Sequence, residues 1–97
     1  MRRGYVYLLC SHKNGTLYLG VTNDLAARLH EHKTKLNKKS FSADYNVNRL
    51  VWFEHYPSII DAIAAEKRMK KWERQWKIDL IEKRNPNWQE LILEFDD

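Results

Sequence analysis

Two short runs of strand-forming side chains, residues 5–11 and 16–21, flank an Asn14-Gly15 pair. No other feature narrows the possible folds as much. Asn-Gly tolerates positive φ at both positions, so the pair predicts a tight hairpin turn between two antiparallel strands. With the turn centred on Asn14-Gly15, Ser11 lies opposite Tyr18 and Leu9 opposite Gly20. Alternation then places Tyr5, Tyr7, Leu9, Tyr18 and Gly20 on one face. The other face holds Val6, Leu8, Cys10, Leu17, Leu19 and Val21 and is wholly apolar. Tyrosines pack well in strands, which explains them without any function. Gly20 inside a strand also marks a place where another group comes close.

The rest of the chain organises around this hairpin. Thr22, Asn23 and Asp24 are candidates to cap a helix over about residues 25–33, with Leu25, Leu29 and Leu36 on one side. Residues 34–46 are polar and read as a surface loop. Residues 49–56 form a third strand, stopped at Pro57, and Ser58 with Asp61 reads as a capping box for the next helix. That helix runs from about Ile59 to near Trp72. Residues 73–83 are helical again, with Trp72, Trp76 and Leu80 at four-residue spacing, and one helix or two fits equally. Asn85-Pro86 ends this run, and a short last helix is expected over 88–95. The order is ββαβαα: an α+β fold with a small three-stranded antiparallel sheet flanked by helices. A chain of 97 residues supports one domain, with its core over about 4–84 and a terminal helix and acidic tail over 85–97.

Hydrophobic content of 43% argues against a disordered chain. No apolar run is long enough to span a membrane. The first residues enter a strand pattern directly, without a signal-peptide core, so a cytoplasmic, nucleoid-associated protein is expected. The single cysteine, Cys10, lies among leucines and reads as a core thiol. Net charge is +4, which favours a polyanionic partner. The cations are grouped. Residues 1–42 carry eight Lys/Arg against two Asp/Glu, and Lys67, Arg68, Lys70, Lys71, Arg74 and Lys77 follow within one short stretch. An ordinary solvated basic surface is the plain alternative.

Three further side chains are candidates for chemistry. Arg28 and His32 lie one helical turn apart, at the edge of the leucine stripe. Arginine suits phosphate because its planar fork donates two hydrogen bonds and stays charged. Glu66 falls in the middle of an apolar face made by Ile59, Ala62, Ile63 and Met69. A carboxylate there needs an ion-pair partner, for which Arg28 is available, or a bound cation. Magnesium takes one or two carboxylates and completes its shell with water and phosphate oxygens. The sequence leaves both open. Trp72 and Trp76 either pack in the core or stack bases within the basic stretch.

Tyr7, Tyr18 with Gly20, Arg28, His32 and Glu66 occur in an order and spacing that resembles the GIY-YIG nuclease domain. The likeness runs from about Tyr5 to Lys83, and the chain looks most like the short standalone bacterial members. Two positions depart from the family pattern. Tyr5 replaces the first motif's glycine, and Val21 stands where some members carry a lysine. The late asparagine of the family has no clear counterpart, Asn85 and Asn87 being the nearest. The resemblance implies a metal-dependent DNA endonuclease in repair or recombination, selective for branched, nicked or single-stranded shapes. Glu66 would hold Mg²⁺ or Mn²⁺, and Arg28 would bind the scissile phosphate. Tyr7 would orient or deprotonate the attacking water, assisted by Tyr18 and His32. Arg28, Lys67, Lys70, Lys71, Arg74 and Lys77 would contact DNA, with a protein partner as a further source of specificity. The competing reading is a nucleic-acid-binding module without catalysis.

Overall fold

A computed structural model of the chain describes residues 3–34 and 46–93. Its elements are β1 (Gly4–Cys10), β2 (Leu17–Thr22), α1 (Leu25–Thr34), β3 (Arg49–Tyr56), α2 (Ile59–Lys70) and α3 (Arg74–Arg84). The strands form one antiparallel sheet in the order β2-β1-β3. This is the expected α+β layout with its ββαβαα order.

All seven residues of β1 are buried, because helices cover both faces of the sheet. On one face Val6, Leu8 and Cys10 pack with Ala62, Ala65 and Met69 of α2 and with Ile81 of α3. On the other, Tyr5, Tyr7 and Leu9 pack with Leu25 and Leu29 of α1 and with Val47 and Leu50. The tyrosine face is therefore a second core. The alternation assigned each side chain to its correct face. Between Leu8 and Leu9 the β1–β3 register shifts, leaving Val51 as an extra residue, so Val51 and Trp52 both reach the α2 side. Cys10 is a buried free thiol whose pKa burial pushes up, as a core cysteine requires.

The hairpin register differs from expectation by two residues. Leu9 pairs with Tyr18 and Tyr7 with Gly20. The chain closes with a longer loop, in which Gly15 N–H donates to His12 C=O and Ser11 N–H to Thr16 C=O. Only Asn14 adopts positive φ, at 61°, and Gly15 does not. A shift of two preserves the faces, since side chains alternate with period two.

Helix starts follow the capping residues. Asp24 Oδ1 accepts from Ala27 N–H at the start of α1, and Ser58 Oγ accepts from Ile60 N–H at the start of α2. The second helical stretch is two helices, with Lys71 and Trp72 N–H donating to Arg68 and Met69 C=O at the break. Leu36 lies outside the described residues. The buried face of α2 is Ala62, Ala65, Glu66 and Met69, so Ile63 belongs to the exposed side.

The short last helix expected from Trp88 does not form among the described residues. Trp88 takes φ 56°, its ring is fully buried and its Nε1–H donates to Glu82. Leu91 N–H then donates to Leu50 C=O beside β3. The core thus extends past residue 84. Asn85 fixes this segment: Nδ2 donates to Val51 and Gln89 C=O, and Oδ1 accepts from Gln89 N–H. No helix among the described residues is long and apolar enough to cross a membrane.

Candidate functional site

Strand alternation on β1 and β2 brings Tyr7 and Tyr18 to the face that α1 crosses. The last turn of α1 brings His32 over them. The ring centroids are 6.2 Å apart for Tyr7–Tyr18, 6.0 Å for Tyr7–His32 and 5.1 Å for Tyr18–His32. Tyr7 Oη lies 3.2 Å from His32 Nε2, a hydrogen bond whose direction depends on the imidazole tautomer. Tyr7 is only 1% exposed, whereas Tyr18 and His32 are half-buried at the rim.

Gly20 makes this arrangement possible. The Tyr7 ring lies directly over its Cα, and a Cβ built there would collide with Tyr7 Cζ and Oη. The close approach expected at this glycine is therefore that of its own cross-strand neighbour.

The electrostatics divide the cluster. Burial, with Tyr18 beside it, pushes the Tyr7 phenol well above its ordinary 10.0. Burial and the Arg28 guanidinium push His32 below its ordinary 6.5, so the imidazole is neutral at pH 7. Tyr7 therefore keeps its proton, while His32 is mostly uncharged at pH 7 and a weaker proton acceptor than a free imidazole. Arg28 is itself exposed and holds only a loose contact, Nε to Glu31 Oε2 at 3.7 Å.

Glu66 lies on α2, which packs against the opposite face of the sheet, along β1 and β2. It is 7% exposed, as the helical count implied. Its ion-pair partner is Lys70, one turn on, with Nζ 2.9 Å from Oε1; Arg28 does not fill that role. Oε1 is buried, and the exposed Lys70 ammonium is the charge that faces it. The carboxylate raises the Lys70 pKa, and Tyr18 adds to this, which places Lys70 within electrostatic reach of the tyrosine cluster. The i,i+4 spacing of Glu66 and Lys70 was the available signal for this pair.

A buried carboxylate whose one ion-pair partner is an exposed lysine suits a hard divalent cation. Among the described residues no three His, Cys, Asp or Glu converge, so a cation here would rest on Glu66 and water. The basic stretch is not uniform. Arg74 donates to Asn14 and Gly15 C=O at 2.9 and 2.5 Å, tying α3 to the hairpin loop. Lys67, Arg68, Lys71 and Lys77 form no ion pair among the described residues. Trp72 is half-buried, whereas Trp76 is 53% exposed. Asn85 is committed to backbone hydrogen bonds in the core.

Comparison with known proteins follows the same outline. The GIY-YIG catalytic domain matches residues 3–79. A UPF0213 protein of Streptococcus sanguinis is 37% identical over 88% of this chain and 95% of its own. One from Syntrophus aciditrophicus is 38% identical over 89% of this chain and 97% of its own. The solution structure of a UPF0213 protein from Bacillus halodurans superposes with a TM-score of 0.55 at 26% identity, covering 91% of this chain and 92% of that one.

Proposed function

Since this chain belongs to the GIY-YIG nuclease family and is similar to UPF0213 proteins over nearly their whole length, we propose that it is a divalent-metal-dependent DNA endonuclease. The observation that supports this best is the packed Tyr7, Tyr18 and His32 cluster under the field of Arg28. Phosphodiester hydrolysis needs a proton acceptor for the attacking water, charge on the phosphoryl oxygens and help for the leaving oxygen.

Arg28, exposed and weakly paired, binds the scissile phosphate. Neutral His32 takes the proton from the attacking water. Tyr7 serves beneath it as the fixed support for the imidazole, and Tyr18 orients the water at the rim. Burial argues against Tyr7 as the base, because its phenol holds its proton more tightly than a free tyrosine. Glu66 would hold Mg²⁺ or Mn²⁺, which when bound supplies charge stabilisation for the leaving oxygen. With Glu66 on the metal, the exposed Lys70 would be left to pair with a flanking phosphate.

A domain of this size has little surface with which to read bases in a groove. Branched, nicked or single-stranded DNA is therefore the proposed substrate, and repair or recombination the proposed setting. The test is cleavage of labelled duplex, single-stranded and branched DNA in Mg²⁺ or Mn²⁺. Cleavage that disappears with EDTA and in Glu66→Ala, with the variant's thermal unfolding intact, is the expected result. Undiminished cleavage by Glu66→Ala overturns the assignment. Salt-sensitive DNA binding without cleavage in any metal would favour the binding module instead.

A further inference from the structure

Trp76 sits in the first turn of α3 and leaves 53% of its surface exposed. Single exposed apolar side chains are common and need no explanation. This one has three features that the others lack. Its ring is braced edge-on by Trp72, with centroids 6.1 Å apart, and Trp72 in turn packs against the core. The helix that carries it is pinned by Arg74 to the hairpin loop, whose second strand bears Tyr18. And it lies within the basic stretch, where Lys67, Arg68, Lys71 and Lys77 make no ion pair among the described residues.

We infer that Trp76 is a stacking platform for an unpaired base of the DNA substrate, with the surrounding cations tracking the adjacent phosphates. A braced aromatic ring among cations matches a single strand in both chemistries. Any base offers a π-face, and the phosphates are drawn by charge. A duplex keeps its bases stacked on one another and offers Trp76 no face. The inference rests on DNA being the partner and specifies which part of it the protein holds: a flap, gap or frayed end beside the cut.

The test is fluorescence anisotropy in EDTA, so that binding is read without cleavage. The probes are a labelled thymidine oligonucleotide and an oligonucleotide of equal length made of abasic sites. Trp76→Ala should weaken binding to the thymidine strand by roughly 5- to 160-fold, the usual range for one lost base–aromatic stack. Trp76→Phe should restore most of it. On the abasic strand Trp76→Ala should bind as wild type does. Equal loss on both strands, no loss on either, or no binding of either strand by wild type overturns the inference. So does a wild-type dimer in sedimentation that Trp76→Ala dissociates with DNA binding unchanged, since a second copy would then cover the ring. Cleavage of branched DNA in Mn²⁺, measured separately on wild type, tests the nuclease reading by itself. Base-dependent binding without cleavage would remove that reading and leave the stacking role standing.

Discussion

A methyl group on Gly20 would collide with the Tyr7 ring, and that ring supports His32. Gly20→Ala should therefore cost roughly 1–3 kcal/mol of stability, the usual penalty of overpacking, and impair cleavage more than stability. Paired denaturant and kinetic measurements check this. His32 offers a second readout. Its folded pKa lies below 6.5, so between those values the unfolded chain binds the proton more readily. Its contribution to stability is thus full above 6.5 and declines as pH falls through that window. An NMR titration should place the His32 midpoint below 6.5, and Arg28→Gln should raise it by removing the second cause of the shift. At Glu66, the Lys70 ammonium lies 2.9 Å from Oε1 and would compete with a bound cation for that carboxylate. Lys70→Ala should accordingly tighten Mn²⁺ binding several-fold by electron paramagnetic resonance, even if it weakens DNA binding. Most of these residues were legible in the sequence, because alternation and helical spacing fix which face a side chain occupies. What was not legible was who meets whom across elements. The partner of Glu66 proved local rather than Arg28, and the group approaching Gly20 proved to be Tyr7.

Elements were read well where pattern alone decides them and poorly where the closing chemistry decides. The strands and α1 emerged at nearly their observed limits. The hairpin register slipped because Asn-Gly signals a two-residue turn, whereas Ser11 and Thr16 close a longer loop. The break between α2 and α3 carries no Gly or Pro, so nothing in the residues marked it. The segment after Asn85 was expected to be helical, but Trp88 and Leu91 serve β3 and the core instead. Arg74 is the element-scale contact most open to test. Arg74→Ala removes two hydrogen bonds between α3 and the hairpin loop. A loss of about 1–2 kcal/mol is expected, with faster amide exchange in residues 12–16 as the local signature.

Across the whole molecule, distant segments are joined at the margins of the sheet. Lys33 on α1 meets Glu90 at 2.7 Å, Arg84 meets Glu54 at 2.9 Å, and Trp88 fills the core against strands from the other end of the chain. A chain cut after Arg84 would lack the Trp88 ring and the Leu91 hydrogen bond. It should fail to give a cooperative thermal transition by circular dichroism, since loss of a buried tryptophan alone costs about 3–5 kcal/mol. The central place of β1 has a consequence for how the protein is made. Of the three strands of the sheet, the first to be made is the one buried on both faces and paired on both edges. Its second partner begins only at Arg49, and although α1 precedes that strand, the helices that cover the other face, α2 and α3, come later still. During synthesis, residues 4–10 must wait as an apolar segment with half their backbone groups unpaired. That strand is thus the part of the fold most exposed to misassociation, and the sheet is completed and covered only once β3, α2, α3 and the Trp88 segment have followed.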